Sequence, residues 1–357
     1  MHQESAAERN SFHLIRFLLA VMVILTHCYT IDGTSTPLNR LTGGQLNEGT
    51  LAVDGFLVIS GYLIVQSAHR SRNALVFLKK RALRIWPGLI CALVFTALII
   101  GGLAYDGTYA EYLRIRDGGP LSYIFHWLTL NLAAEPWNIT GVFTGNLAHG
   151  VNVSLWTIKH EVSLYLLIAI FMVLHIHKKR PVYGVCYGIF LALHVLFTYF
   201  RIQLWDIRHV EAWVLNTWNY DHTTRTGMFF FAGALIGVYR DVLPLRWKYA
   251  GFGAALLVAS GFAGMMRPVE LLVWPYLLLC FAQSPRFDDF RRLGDLSYGL
   301  YVYSYPLQQL LSHVYPGIHP MLNFAITLSL IIPLAKVSWM LVEQPFVRIG
   351  RQKEHTA

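Results

Sequence analysis

Two ionisable side chains, Arg16 and His27, stand inside the first apolar stretch of this chain, SFHLIRFLLAVMVILTHCYT. On a helix turning about 100° per residue, their spacing returns His27 to within roughly 20° of the Arg16 face, about 16 Å further along the axis. Ionisable groups inside lipid are costly and mark functional sites by default. An imidazole titrates near neutrality, so His27 suits proton transfer as base and then acid, or transient acceptance of an acyl group. A second basic pair, Arg81 and Arg84 in KKRALRIWPG, lies at i, i+3 and shares one helix face. Guanidinium forks match phosphate bidentately. The two pairs together describe an anionic donor held at one membrane face and reacted at depth. A basic run of this kind also serves as a membrane anchor, the role assigned to Lys79 and Lys80.

Further chemistry-bearing residues recur in later apolar stretches. Glu161 lies about a turn and a half into the helix that Asn152-Val-Ser-Leu-Trp156 opens, beside Lys159 and His160. A carboxylate there orients His27, neutralises an arginine or satisfies a buried cation. Asp54-Gly-Phe-Leu-Val-Ile-Ser60-Gly61-Tyr62 mixes an acid and a hydroxyl with small residues; Gly55 and Gly61 suit close helix packing. The ninth stretch carries Asp295, Ser297, Tyr298, Tyr301, Tyr303 and Tyr305, and so faces protein rather than lipid. Asp54, Ser60, Trp156, Tyr298 and Tyr301 are candidates for lining a substrate pocket.

The elements that position these residues are membrane helices. Hydrophobic residues make up 55% of the 357, charged ones only 14%, whereas soluble domains carry about 25% charged residues. A spanning helix needs about 20 apolar residues. Ten stretches are candidates, the sixth of them short and the ninth rich in polar residues: 12–31, 51–68, 85–104, 152–175, 182–200, 227–240, 249–265, 269–283, 295–314 and 320–342. Segment 121–133 has the length of a re-entrant or interfacial piece. With the N-terminus inside, 19 of the 29 lysines and arginines fall in inside segments and 7 in outside ones; Arg16, Lys159 and Lys336 lie within helices. That bias predicts an all-α, polytopic bundle of about ten helices with both termini cytoplasmic. The expected organisation is a cytoplasmic tail over 1–11, one transmembrane domain over 12–342 and a cytoplasmic tail over 343–357. The polar start and Thr26-His27-Cys28 lack signal-peptide features, so the first helix is expected to be retained. The net charge of +9 is read as a set of topology determinants and not as a nucleic-acid surface. Cys28, Cys91, Cys186 and Cys280 are isolated, without a CxxC pair, which argues against disulfides and metal ligation.

These residues resemble the acyltransferase-3 membrane O-acyltransferases of bacteria. Arg16 and His27 resemble that family's basic-X10-His pattern. Asp54 through Ile64 resembles its DxFFxxSGYLI signature, with Leu57 at a usual Phe. Arg81-Ala-Leu-Arg84-Ile-Trp-Pro87 resembles its RxxR element, and Ser154 through Glu161 its SLWxLxxE element. Gly294 through Tyr301 with Tyr305-Pro306 resembles the ninth-helix motif, with Ser304 where histidine is frequent; Glu343-Gln-Pro345 matches the closing motif. The resemblance implies transfer of an acyl group, usually acetyl, from cytoplasmic acyl-CoA to a hydroxyl of a cell-envelope or extracellular glycan. It implies His27 and Glu161 as catalytic residues, and Arg16, Arg81 and Arg84 as the acyl-CoA-binding ones. Acyl-CoA then enters as donor substrate and no resident cofactor is expected. The implied location is the bacterial inner membrane, with the chain acting alone or beside a separate polysaccharide-biosynthesis partner. Arg16 and His27 are expected to point into one polar cavity bordered by Arg81, Arg84 and Glu161. The rival is a transporter or flippase of an anionic glycan intermediate, for which inverted repeats with broken helices are the expected sign; none is visible in the sequence.

Overall fold

The computed structural model describes residues 10–130, 137–198, 220–285, 290 and 292–352. Arg9, Arg201, Arg208, Arg286, Arg291 and Lys353, all used in the charge count, lie outside them, as do 199–200 at the end of the fifth stretch. Among the described residues the secondary structure is helical, apart from one isolated bridge between Tyr105 and Val142. Each of the ten apolar stretches coincides with a helix. They are α1 (Phe12–Ile31), α2 (Glu48–Arg70), α3 (Ala74–Leu103), α4 (Val153–Val173), α5 (Arg180–Thr198), α6 (Tyr220–Val238), α7 (Trp247–Phe262), α8 (Met266–Ala282), α9 (Ser297–Val314) and α10 (Pro320–Gly350). Six of these, α1 to α5 and α10, are long and apolar enough to cross a membrane. Segment 121–133, of which 131–133 lie outside the described residues, overlaps the short helix Pro120–Leu128.

Three boundaries differ from the sequence reading. The third helix begins at Ala74, where the Asn73 side chain caps it by accepting from Val76 N at 2.9 Å. Arg81 and Arg84 therefore sit within the helix, and Pro87 lies in its interior and not at its start. The sixth helix begins at Tyr220, so Arg225, counted among the outside loop charges, is a helical residue. At the far end, helix continues past 342 to Gln352, through a π-helical turn over Trp339–Glu343. A count of uninterrupted apolar residues misses such extensions because each carries charged residues: Lys79 to Arg84 in the third helix, Asp221 and Arg225 in the sixth, Arg348 and Arg351 in the last.

The buried apolar cluster draws on α1, α2, α3, α4, α6 and α9. Two glycines let α2 and α6 touch. A Cβ on Gly61 would collide with the Phe230 carbonyl, and one on Gly233 with the Val58 carbonyl. Without a hydrophobic drive between helices in lipid, such backbone approach is a main source of association. α1 is fixed at its start by Ser11, whose N donates to Ala282 O at 2.8 Å and whose Oγ donates to Ser284 O at 2.5 Å. Deeper in, Gln308 of α9 donates to Ile24 O at 2.7 Å, one turn before His27. The helix that carries Arg16 and His27 is thus pinned at both depths.

Candidate functional site

Three adjoining cavities run through the bundle. The first is a mouth of about 910 Å³ at the start of α1, lined by Arg16, Arg70, Lys80, Arg81, Arg84 and Arg292. The second is a narrow middle chamber of about 140 Å³. Arg16, Leu63, Arg81 and Arg84 line both, so the two adjoin. The third is an outer chamber of about 530 Å³, which His27 lines together with Asp54, Trp156, His222, Arg225 and Glu270. Val53 and Tyr301 line both the middle and outer chambers and form the wall between them.

At the mouth, the arginines are organised by a carboxylate. Asp295 Oδ2 accepts from Arg16 Nη1 at 2.6 Å and from Arg84 Nη2, while Ser297 Oγ donates to Asp295 Oδ1 at 2.6 Å. Arg84 Nη1 lies 3.7 Å from Glu343 Oε2, and its guanidinium sits over Trp339, 5.5 Å from the ring centroid. Gly294 makes this arrangement possible. Its φ of +86° favours glycine, and a Cβ there would strike the Trp339 indole. Asp295 then falls just before the N-terminus of α9, where the helix dipole favours an anion. Two cations and two anions balance in this cluster, so Arg16 and Arg84 are committed to the protein. Arg81 is placed differently: Nη2 donates to Ser67 Oγ at 3.3 Å, and the guanidinium lies 5.9 Å from the Phe77 ring centroid, on the wall of the mouth. Lys80, read as an anchor, also lines the mouth and donates to Ser71 Oγ at 3.3 Å; Lys79 is exposed.

In the middle chamber, Glu161 Oε1 accepts from Ser60 Oγ at 3.2 Å and from Tyr165 OH. Ser60 Oγ and Tyr165 OH are themselves 3.1 Å apart. Tyr298 OH donates to Ile85 O at 3.0 Å, which leaves its ring as lining. Tyr301 OH meets Thr157 Oγ1 at 2.8 Å, and its ring packs edge-on against Phe56. The chamber is therefore an apolar sleeve with one hydroxyl–carboxylate cluster on its side.

His27 stands beyond this sleeve. Its ring packs edge-on against Tyr305, centroids 4.9 Å apart and planes at 89°. Nδ1 is buried without a hydrogen-bond partner among the described residues. The expectation of one polar cavity shared by Arg16 and His27 is corrected here. The two residues line opposite ends of the cavity series, with the Val53–Tyr301 wall between them. Glu161 takes its hydrogen bonds from Ser60 and Tyr165, not from His27, and lines the middle chamber, so it does not orient the imidazole. Of the proposed pocket residues, Ser60 and Tyr298 line the middle chamber, Asp54 and Trp156 the outer one, and Tyr301 both.

Sequence reasoning assigned no role to Asp295, Glu343, Arg225 or Glu270. Arg225 Nε and Nη2 grip Asp54 at 2.6 to 3.1 Å, and Nη2 also donates to Glu270 Oε2 at 3.0 Å. The signal for Glu270 was present: it is a carboxylate at the edge of the eighth apolar stretch, where the cost applied to Arg16 applies equally.

The sequence profile described as an acyltransferase domain matches residues 9–341. An "O-acetyl transferase" of Shigella phage Sf6 is 30% identical over 352 residues, which cover 95% of this chain and 96% of that protein. "Nodulation protein 10" of Rhizobium leguminosarum bv. viciae is 26% identical over 373 residues, 98% of this chain and 96% of its own. No solved structure matches.

Proposed function

The chain belongs to the acyltransferase-3 family and is an acyltransferase with membrane-spanning helices, and we propose that it moves an acetyl group from cytoplasmic acetyl-CoA to a glycan hydroxyl. In this reading all ten helices span a bacterial inner membrane, both termini are cytoplasmic, and the basic mouth opens to the cytoplasm. The observation that carries it is the series of adjoining cavities from that mouth to His27, divided next to the His27 chamber by the Val53–Tyr301 wall. The surplus of guanidinium and ammonium groups at the mouth suits the phosphates of CoA, with Arg81 as the fork that meets them and the Arg16–Asp295–Arg84 cluster as its rigid floor. The pantetheine arm lies in the apolar sleeve, where Ser60 and Glu161 offer hydrogen-bonding partners to its amides. The distance from Arg16 to His27, about 16 Å along α1, is one that an extended arm spans.

At the wall between the chambers the thioester meets the acceptor. His27 Nε2 takes the hydroxyl proton as the acceptor oxygen attacks the thioester carbonyl carbon. The tetrahedral intermediate collapses, the C–S bond breaks, and the CoA thiolate leaves with the proton returned by the imidazolium. An ester and free CoA result. A thioester held in a narrow apolar sleeve is shielded from water, which limits hydrolysis. The name of one relative, an O-acetyl transferase, supports this reading.

The test is transfer of label from radioactive acetyl-CoA to polysaccharide by membranes that contain the protein. Label in the glycan is the expected result. A transporter would leave acetyl-CoA intact. In the same assay Arg81→Lys keeps the charge but loses the fork, and the KM for acetyl-CoA is expected to rise about tenfold, with Lys79→Ala unchanged. Equal effects of the two substitutions would reduce the basic run to a topology signal.

A further inference from the structure

The outer chamber contains a carboxylate that charge balance does not require. Arg225 is already held by Asp54 through both Nε and Nη2, a complete bidentate pair. Glu270 adds a second carboxylate to the same guanidinium, at 3.0 Å through Oε2. Glu270 is 1% exposed, and its other oxygen, Oε1, is buried and receives no donor among the described residues. A buried acceptor without a donor is costly, and it persists where a ligand completes it. Glu270 lines the same outer chamber as His27.

The electrostatics of the two ends differ in sign. The mouth sets Arg16, Arg70, Lys80, Arg81, Arg84, Arg292 and Lys336 against Asp295 in its lining and Glu343 beside Arg84. The outer chamber sets Asp54, Asp221 and Glu270 against Arg225 and Arg267. Arg267 is committed to its loop, donating to Gln45 O at 2.9 Å and to Gly44 O at 2.8 Å. A surplus carboxylate repels a second anion and favours a neutral hydroxyl donor. Trp156, tilted by 38° to the His222 ring with centroids 4.5 Å apart, gives the same chamber an aromatic wall. Such a wall suits the C–H face of a sugar ring.

We infer that the outer chamber selects an uncharged sugar, and that Glu270 is the positioning residue that selects it, Oε1 accepting a hydrogen bond from a hydroxyl next to the one acetylated. Asp54 and Arg225 hold Glu270 in place and do not themselves meet the sugar. The inference rests on the acetyl-transfer reading above and adds the acceptor class to it.

The test uses the purified full chain in detergent or nanodiscs, radioactive acetyl-CoA, and a panel of methyl glycosides of neutral hexoses and deoxyhexoses beside the matching methyl uronosides. The wild type is expected to acetylate at least one neutral glycoside, and the matching uronoside at least tenfold less efficiently. Glu270→Gln is expected to raise the acceptor KM about tenfold or more, with little change in the KM for acetyl-CoA, and to narrow the preference for neutral sugar. Glu270→Asp keeps the charge and is expected to keep the preference while the acceptor KM rises. It serves as the deciding variant if Glu270→Gln does not fold. An unchanged acceptor KM and an unchanged preference in Glu270→Gln would overturn the inference and leave acetyl transfer standing. So would a wild type that uses uronosides as well as neutral sugars. A wild type that moves no label to any acceptor overturns the functional reading, and the inference falls with it.

Discussion

His27→Ala is expected to lower acetyl transfer about a thousandfold, within the range general bases contribute, while insertion and thermal stability stay near wild type. The separation of the two effects follows from the surroundings of the ring. Among the described residues neither a carboxylate nor a backbone carbonyl bonds Nδ1, and the ring makes an edge contact with Tyr305. Truncation breaks no hydrogen bond among these residues, and it enlarges the outer chamber. The measurement is initial-rate transfer from labelled acetyl-CoA, with the unfolding midpoint of the same preparation as control. A stable mutant that transfers within a few-fold of wild type removes His27 from the chemistry. Trapped label on the wild-type protein, released as acetate by acid and absent from His27→Ala, would replace the base role with that of a transient acyl carrier.

The second large effect is on stability as well as activity. Asp295→Ala removes the shared partner of Arg16 and Arg84 and leaves two guanidiniums without their carboxylate. Breaking a buried pair on one side costs about 3–5 kcal/mol. The arginine side chains keep 24% and 20% exposure, which places the expected loss at the lower end, about 3 kcal/mol. Glu343 remains for Arg84, but at 3.7 Å. The freed arginines also swing into the mouth, so the KM for acetyl-CoA changes with the midpoint. Asp295→Asn retains hydrogen-bonding oxygen and is expected to lose less of both. The check is thermal unfolding in detergent together with donor kinetics. An Asp295→Ala protein with a wild-type midpoint and a wild-type KM contradicts the assignment of this carboxylate as the organiser of the mouth.

Much of the fold was legible because lipid enforces a simple pattern. The first helix was read as 12–31 and forms over Phe12–Ile31. The chemistry was legible as residue types on stripes, but not as a geometry. Spacing on α1 places Arg16 and His27 on one face, yet the wall that divides their cavities comes from Val53 on α2 and Tyr301 on α9. No local pattern carries that information. The same holds for Asp295, which reaches Arg16 across 279 positions of sequence. Reading Arg16 and Arg84 as free phosphate ligands follows when only one strand of that contact is visible. Arg225 was missed for a different reason. The apolar core of its helix is short, and the polar first turns look like loop until Asp54 and Glu270 are seen to face them. Glu161 was assigned to the imidazole on the strength of its residue type, whereas Ser60 on α2 and Tyr165 one turn onward hold it in the middle chamber.

The central claim is that one path joins the basic mouth to His27 and that the donor occupies it. The most direct measurement is an experimental structure with a stable thioether analogue of acetyl-CoA. The account predicts phosphate density beside Arg81 at the mouth, the pantetheine arm alongside Ser60 and Glu161, and the acetyl carbon at the Val53–Tyr301 wall, within reach of the His27 ring. An analogue seated with its acyl end outside the bundle, or reaching the middle chamber from the His27 side, would contradict it.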